Sequence, residues 1–158
     1  MNKDTTKPAV NKVPKTSKNR RKSRELVLKA IYQNFVSPKK LSQLIIELDE
    51  DPDFSKADEN YFHQLLEGVY EKLSELDTRI GAFIDRPIVE LSPIEHAILC
   101  ISSYELIFDL SIPYRVAINE GVELAKIYGG TDGHKYVNGV LDKVAAEARP
   151  SEIKRKSS

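Results

Sequence analysis

The chain has 158 residues, 41% of them hydrophobic and 30% charged, which suits one globular domain with a buried core. Its single cysteine excludes an intramolecular disulfide. The sequence contains no uninterrupted stretch of about 20 apolar residues, so no membrane span is predicted. The N-terminal lysines are not followed by the apolar segment that a secretory signal would have. These features favour a cytoplasmic protein that does not enter membranes.

The formal net charge of zero conceals a strong asymmetry along the chain. Residues 1–24 carry nine Lys and Arg against Asp4 alone, a net charge of +8. Residues 149–158 carry a net charge of +3, which leaves −11 for residues 25–148. Basic ends on an acidic body indicate two surfaces of opposite sign and two kinds of partner. Composition alone is equally compatible with lysine tails that only keep the protein in solution.

The first half of the chain predicts a basic tail followed by four helices. Residues 1–19 are polar and basic, so we expect them to be disordered. From Arg20 onward, apolar residues recur at helical spacing. Gly68 lies inside the third helix and predicts a close helix–helix approach, and Asp77 is expected to cap the fourth. The four helices are predicted at about 20–36, 40–48, 55–76 (beginning at Ser55 or Asp58) and 77–86.

The segment 91–110 is the best candidate for a central helix. Ser92 and Pro93 form a typical helix start, and Glu95 completes a capping-box pattern with Ser92. Apolar residues follow on almost every side of this helix, which is typical of a helix buried in a core. We therefore expect the other helices to pack around it.

Two more helices are predicted after the central one, over about 111–128 and 131–149. Gly129 and Gly130 are expected to end the first of them in a left-handed conformation, and Thr131 or Asp132 to cap the second. Residues 150–158 are expected to form a short basic tail. Since no alternating strand pattern occurs, the predicted fold class is all-α with about seven helices.

The sequence offers little support for catalysis, for a cofactor or for a metal ion. His63, His96 and His134 are widely separated and are interpreted as surface or cap residues. Cys100 lies in an apolar helical stretch, where a thiol is usually buried and inert. The glycine-rich segment 129–133 follows a helix rather than a strand, so it predicts a helix–helix turn and no phosphate-binding loop.

Cations cluster at the predicted start of the first helix, where the helix dipole disfavours them. Arg20, Arg21, Lys22 and Arg24 in one patch suit phosphate groups, and single-stranded RNA also needs aromatic side chains nearby. We nominate Tyr32 and Tyr136 for that role. The alternative, that both tyrosines are boundary core residues, is equally compatible with the pattern.

Two neighbouring segments, 112–126 and 128–143, closely resemble the NusB family of bacterial transcription antitermination factors. They read IPYRVAINEGVELAK and YGGTDGHKYVNGVLDK. Further similarity lies in the basic start of the first helix (20–25), in Ala30-Ile31-Tyr32, in 61–69 and in 95–106. The resemblance covers about residues 20–149, which we predict to form one NusB-like helical domain.

This resemblance implies an all-helical protein made of two small bundles, without enzymatic activity. NusB-like proteins pair with ribosomal protein NusE and bind the single-stranded boxA element of nascent RNA. RNA polymerase is thereby held in a termination-resistant complex that includes NusA and NusG. The acidic body of this chain would suit a basic ribosomal protein. The RNA-binding residues implied by similarity are Arg20, Arg21, Lys22, Arg24, Tyr32, Asp132 and Tyr136; those expected to face or support NusE are Glu95, Tyr104 and Glu105.

This chain departs from the family pattern at three positions. His96 and Cys100 replace basic residues along the expected protein-contact helix, and Gly133 replaces a serine. Two alternatives to an antitermination factor stay open. One is the helical RNA-binding domain of an rRNA cytosine methyltransferase, which would need a further α/β domain. The other is a purely protein-interaction domain. The sequence also leaves open the preferred RNA, the role of the tail 1–19, and whether a homodimer forms without NusE.

Overall fold

A computed structural model describes the backbone of residues 12–157 and the side chains of residues 19–155. Within that range the protein is helical, with two single-turn 3-10 segments at Phe54–Lys56 and Ile88–Glu90. The helices are α1 Lys12–Val36, α2 Leu41–Asp49, α3 Glu59–Glu71, α4 Leu73–Gly81, α5 Pro93–Phe108, α6 Tyr114–Tyr128, α7 Gly133–Ala148 and α8 Pro150–Ser157. The all-α prediction is confirmed.

Helix α5 is the central helix, as its sequence predicts. The helices α5, α6 and α7 pack against one another, while α1 packs against α3 and α5 and so joins a second group containing α2. The side chain of Ser92 caps α5 by accepting a hydrogen bond from the backbone N–H of Glu95 at 3.1 Å. Nine residues of α5 are buried around most of its circumference: Ala97, Ile98, Leu99, Cys100, Ile101, Ser102, Ser103, Glu105 and Leu106. This arrangement forms the two small bundles expected.

The first helix is longer than its apolar periodicity predicts. It begins at Lys12 rather than at Arg20, so the predicted tail 1–19 overlaps the helix over 12–19. Pro14 lies in the first turn, where its missing N–H needs no partner, and a helix anchored by its buried part can extend through polar residues. Residues 1–11 lie outside the described residues. The cations at 20–24 therefore lie two turns inside the helix, and the dipole argument for them no longer applies.

The boundary between α3 and α4 also differs from the prediction. Helix α3 ends at Glu71 and α4 begins at Leu73, whereas the apolar pattern had continued one helix to residue 76. Asp77 therefore lies inside α4 and is not a cap. Asp58, one of the two predicted starts of the third helix, caps α3 by accepting a hydrogen bond from the N–H of Tyr61 at 3.0 Å. Local periodicity did not reveal the break because the apolar residues on both sides of it, Val69, Leu73 and Leu76, continue one helical spacing.

Gly68 permits the close helix–helix approach expected of it. A Cβ atom built on Gly68 would lie 2.7 Å from Cε1 of Tyr104 and still closer to the end of that ring. The tyrosine of α5 therefore packs directly on the backbone of α3. This contact brings α3 and α5 closer than any side chain at position 68 would allow.

The connection between α6 and α7 forms differently from the predicted left-handed cap. Gly129 is extended, with φ −84° and ψ 176°, and its N–H donates to the carbonyl of Ala125 at 2.8 Å. Asp132 occupies the position before α7, but its side chain makes no capping hydrogen bond. The turn is closed by the backbone instead, through the N–H of Gly133 and the carbonyl of Gly130 at 3.0 Å.

The C-terminal segment predicted as a basic tail forms helix α8. Its Ile153 packs against the hydrophobic core. Glu152 accepts a hydrogen bond from the backbone N–H of Tyr114 at 3.0 Å, which attaches α8 to the start of α6. These contacts explain why the polar sequence is helical. No helix in the described part of the chain is long and apolar enough to cross a membrane.

Candidate nucleic-acid interface

Three of the predicted RNA-binding cations lie at the surface of α1. The side chains of Arg20, Arg21 and Lys22 are 37%, 55% and 29% exposed. We call these three residues the α1 cation patch. They are accessible enough to meet a phosphate backbone.

Acidic side chains already contact the α1 cation patch. Arg21 donates two hydrogen bonds to Glu120 of α6, from Nε at 3.1 Å and from Nη2 at 2.8 Å. Lys22 lies 2.7 Å from a carboxylate oxygen of Glu25. Arg20 stacks over the ring of Tyr61, 4.3 Å from its centroid. Ion pairs at such exposed positions contribute little stability, so phosphate groups can compete for these cations.

Arg24, predicted as an RNA-binding residue, lies inside the protein and not at the surface that carries the other three cations. Its side chain is 5% exposed and its Nε lies 2.8 Å from Oε2 of Glu105, which is fully buried. The hydroxyl of Tyr61 donates to the same carboxylate oxygen. Arg24 is turned inward because α1 packs its buried face against α5 at this position. Its positive charge compensates the buried carboxylate of Glu105.

Tyr32 lies on the same face of α1 as Arg21. The two residues are 11 positions apart, which is close to three full turns and about 16 Å along the helix. Tyr32 is 37% exposed, so its ring can be reached from solvent. The ring is therefore not sealed inside the core, and its exposure also agrees with a residue at the boundary of the core.

Tyr136 lies at the edge of α7 in a basic environment. The guanidinium of Arg86 stacks over its ring at 4.8 Å from the centroid, and its hydroxyl donates to Asp85 at 3.3 Å. Burial raises the pKa of Tyr136, which keeps the hydroxyl protonated. A surface cleft of about 250 Å³ runs beside the ring and is also lined by Lys135 and Lys143. We call Arg86, Lys135, Tyr136 and Lys143 the Tyr136 patch.

Asp132 lies at the start of α7, and its side chain is 76% exposed and 3.7 Å from Nζ of Lys135. It therefore borders the Tyr136 patch and remains exposed.

Contacts at the first turn of α5 connect this region to the end of α1. Phe35 of α1 stacks on His96, with the ring centroids 4.1 Å apart. The carboxylate of Glu95 lies against Gly133, at 2.7 Å from the position of a Cβ atom.

The three residues predicted to face or support a protein partner lie at different depths. Glu95 is half-buried at the first turn of α5. Tyr104 is half-buried between Gly68 and Phe108. Glu105 is completely buried, so it cannot contact a partner at the surface. Burial raises the pKa of Glu105, and the charge of Arg24 only partly offsets that effect.

Sequence reasoning missed several residues around these sites. Arg86 was predicted only to mark the end of the fourth helix. Its contact with Tyr136, which lies 50 positions away in the sequence, is a tertiary one. Arg149 was counted with the basic tail. It is buried, and it donates hydrogen bonds to four backbone carbonyls, those of Glu105, Leu106, Asp109 and Ile112.

A cluster of Asp77, His96 and Cys100 corrects the interpretation of His96 as a surface or cap residue, since its side chain is 13% exposed and contacts Asp77. The ligand-type atoms of these three residues all lie within 4.8 Å of one another. His96 and Cys100 are four positions apart, which places them on one face of α5. That spacing was a signal available in the sequence, but the carboxylate comes from α4 and only the fold supplies it.

These features define a helical protein with exposed cations and tyrosines, as in helical adaptors that bind nucleic acid. The NusB family model matches residues 21–146. A transcription antitermination protein NusB of Methylobacillus flagellatus is 65% identical over 152 residues, covering 96% of each chain. The structure of T. maritima NusB superposes with a TM-score of 0.75 at 31% identity, covering 85% of this chain and 96% of that one.

The chain belongs to the NusB family. A further solved structure, of antitermination factors NusB and NusE in complex with dsRNA, matches with a TM-score of 0.70 at 23% identity. It covers 80% of this chain and 96% of that one, and it supports the fold. Family membership therefore agrees with the all-helical architecture and with the resemblance found in the sequence.

Proposed function

We propose that this protein is a transcription antitermination factor that binds boxA-type single-stranded RNA together with ribosomal protein NusE. The complex would keep RNA polymerase resistant to termination during rRNA transcription, with NusA and NusG as further components. The protein would act in the cytoplasm and would have no catalytic role of its own. Residues 20–149 would form the functional helical domain, extended by α8.

The observation that carries the RNA-binding part is the position of Arg21 and Tyr32 on one exposed face of α1, with Arg20 and Lys22 of the α1 cation patch on either side of Arg21. Cations there would bind phosphates, and the tyrosine ring offers a base a stacking surface. The Tyr136 patch supplies a second set of cations around an aromatic ring. We assign RNA contact to Arg20, Arg21, Lys22, Tyr32 and Tyr136, with Asp132 at the border.

The protein-binding part is supported by the family and by charge. Residues 25–148 carry a net charge of −11, which favours association with a basic ribosomal protein. Glu95 and Tyr104 are the proposed contacts because both are half-exposed on α5. Glu105 would act indirectly, since its buried ion pair with Arg24 fixes α1 against α5.

The decisive experiment is a titration of labelled boxA RNA with the full chain, with and without NusE. We expect weak binding by the protein alone and an affinity at least tenfold higher when NusE is added. A scrambled RNA of equal length is the control. Equal affinity with and without NusE would contradict the proposed mechanism, and no RNA binding in either case would favour a purely protein-interaction domain.

Replacing Arg20, Arg21 and Lys22 by Ala is expected to flatten the salt dependence of RNA binding. Each phosphate contact on a single strand contributes about −0.7 to the slope of log K against log salt, so three lost contacts change the slope by about 2. Fluorescence anisotropy at a series of salt concentrations measures that slope.

The matched control for this triple variant removes three cations elsewhere. Lys72, Arg79 and Arg115 are exposed or half-buried residues outside the α1 cation patch and the Tyr136 patch. Their replacement by Ala changes the net charge equally and should leave most of the slope in place. A slope equal to that of the unmodified protein in the α1 triple variant would exclude that patch from phosphate contact.

Replacing Glu120 by Gln is expected to raise RNA affinity by about two- to fivefold, because it frees Arg21 from a partly exposed ion pair of modest strength. The gain should disappear when Arg21 is replaced by Ala in the same chain. Glu147→Gln is the control for the change in net charge, since Glu147 forms an ion pair with Arg79 at 3.0 Å outside both patches. Equal gains in both variants would indicate a general charge effect.

A further inference from the structure

The cluster of Asp77, His96 and Cys100 lies outside both patches of the proposed RNA surface. Oδ1 of Asp77 lies 2.6 Å from Nε2 of His96 and 3.7 Å from Sγ of Cys100. The three residues come from two helices, with Asp77 on α4 and the other two on adjacent turns of α5. The same carboxylate oxygen thus contacts both of the other groups.

We infer that Asp77, His96 and Cys100 form a zinc-binding site with three protein ligands. This inference does not depend on the proposed RNA function. One nitrogen, one sulfur and one oxygen donor are a combination that zinc accepts, whereas magnesium and calcium prefer oxygen donors alone. A thiolate donor also favours zinc over manganese.

Two of the three donor separations can be compared with those of a tetrahedral ion, and the third, between His96 and Cys100, is at most 4.8 Å. Zinc bonds of about 2.0–2.3 Å place two ligands of one tetrahedron about 3.3–3.8 Å apart. The Asp77–Cys100 separation of 3.7 Å already lies in that range. The Asp77–His96 separation of 2.6 Å must increase by about 0.7 Å. Asp77 can make this movement because its side chain is 35% exposed.

The surroundings would hold the ligands and give the ion a route of entry. The ring of His96 stacks on Phe35 at an interplanar angle of 9°, which restricts its orientation. Cys100 is fully buried. Asp77 and His96 line a groove of about 390 Å³ that is open to solvent, together with Phe35, Ile88, Val89, Leu91 and Pro93. The fourth coordination position would face this groove and hold water.

Cobalt titration of the full chain tests the site, since Co²⁺ replaces Zn²⁺ and reports thiolate ligation by a charge-transfer band. Chelator-treated protein in a non-chelating reductant should develop that band and saturate at one equivalent. Zn²⁺ should remove the band by competition. The thermal midpoint should rise by about 5 °C or more at a hundredfold excess of Zn²⁺ over its Kd. Absence of the band in the unmodified protein would overturn the inference.

Single substitutions locate the ligands. Cys100→Ser should abolish the charge-transfer band, and His96→Gln should weaken Zn²⁺ binding at least tenfold while it keeps a hydrogen bond to Asp77. His134→Gln removes a histidine at the start of α7 and should change neither the charge-transfer band nor the affinity for Zn²⁺. A band that persists in Cys100→Ser, or one lost equally in His134→Gln, would contradict this assignment. Circular dichroism checks that each variant is folded.

Discussion

Replacement of Arg24 by Met is expected to lower the free energy of unfolding by about 3–5 kcal/mol, because it leaves Glu105 buried without its cation. The loss should grow as the pH rises above about 4–5. Burial raises the pKa of Glu105 in the folded protein, so the folded state keeps a proton that the unfolded chain has released. Urea unfolding followed by circular dichroism between pH 5 and pH 8 measures both effects.

Two further variants show whether the ion pair itself is responsible. Adding Glu105→Gln to Arg24→Met should recover much of the stability and remove most of the pH dependence, since no buried charge remains and an amide can still accept from Tyr61. Arg21→Ala should reduce RNA affinity while it lowers stability little. A stable Arg24→Met protein with sharply reduced RNA affinity would restore Arg24 to the RNA interface.

Replacement of Arg149 by Met is expected to lower the free energy of unfolding by about 3–5 kcal/mol. Its guanidinium donates to the carbonyl of Leu106 and to that of Ile112, both at 2.8 Å, among the four that it reaches. These carbonyls end α5 and form the connection to α6, and buried carbonyls left without donors cost about 1–3 kcal/mol each. Thermal or urea unfolding measures the loss.

Arg149→Lys should recover only part of this stability, because an ammonium group cannot reproduce the planar set of donors. Arg155→Ala, at an exposed position of α8, is the matched control and should change stability by about 0.5 kcal/mol or less. A loss below about 1 kcal/mol in Arg149→Met would mean that water replaces the guanidinium at these carbonyls.

The helices were predictable because their signals are local. Apolar spacing identified the seven helices up to residue 149, and Ser92 with Pro93 marked the start of α5. Gly68 predicted a close contact, although the sequence did not identify Tyr104 as the group that makes it. The local signals failed where polar residues continue a helix, as in the first turns of α1 and in α8.

The sequence by itself determined the helical class, the central position of α5 and membership of the NusB family, because each depends on patterns within short segments. Only the tertiary structure decided which cations are exposed at the surface. Arg21 and Arg24 are three positions apart, yet one is 55% exposed and the other pairs with a carboxylate 81 residues away. The direction in which each side chain points depends on where α5 packs, and residues distant along the chain set that position.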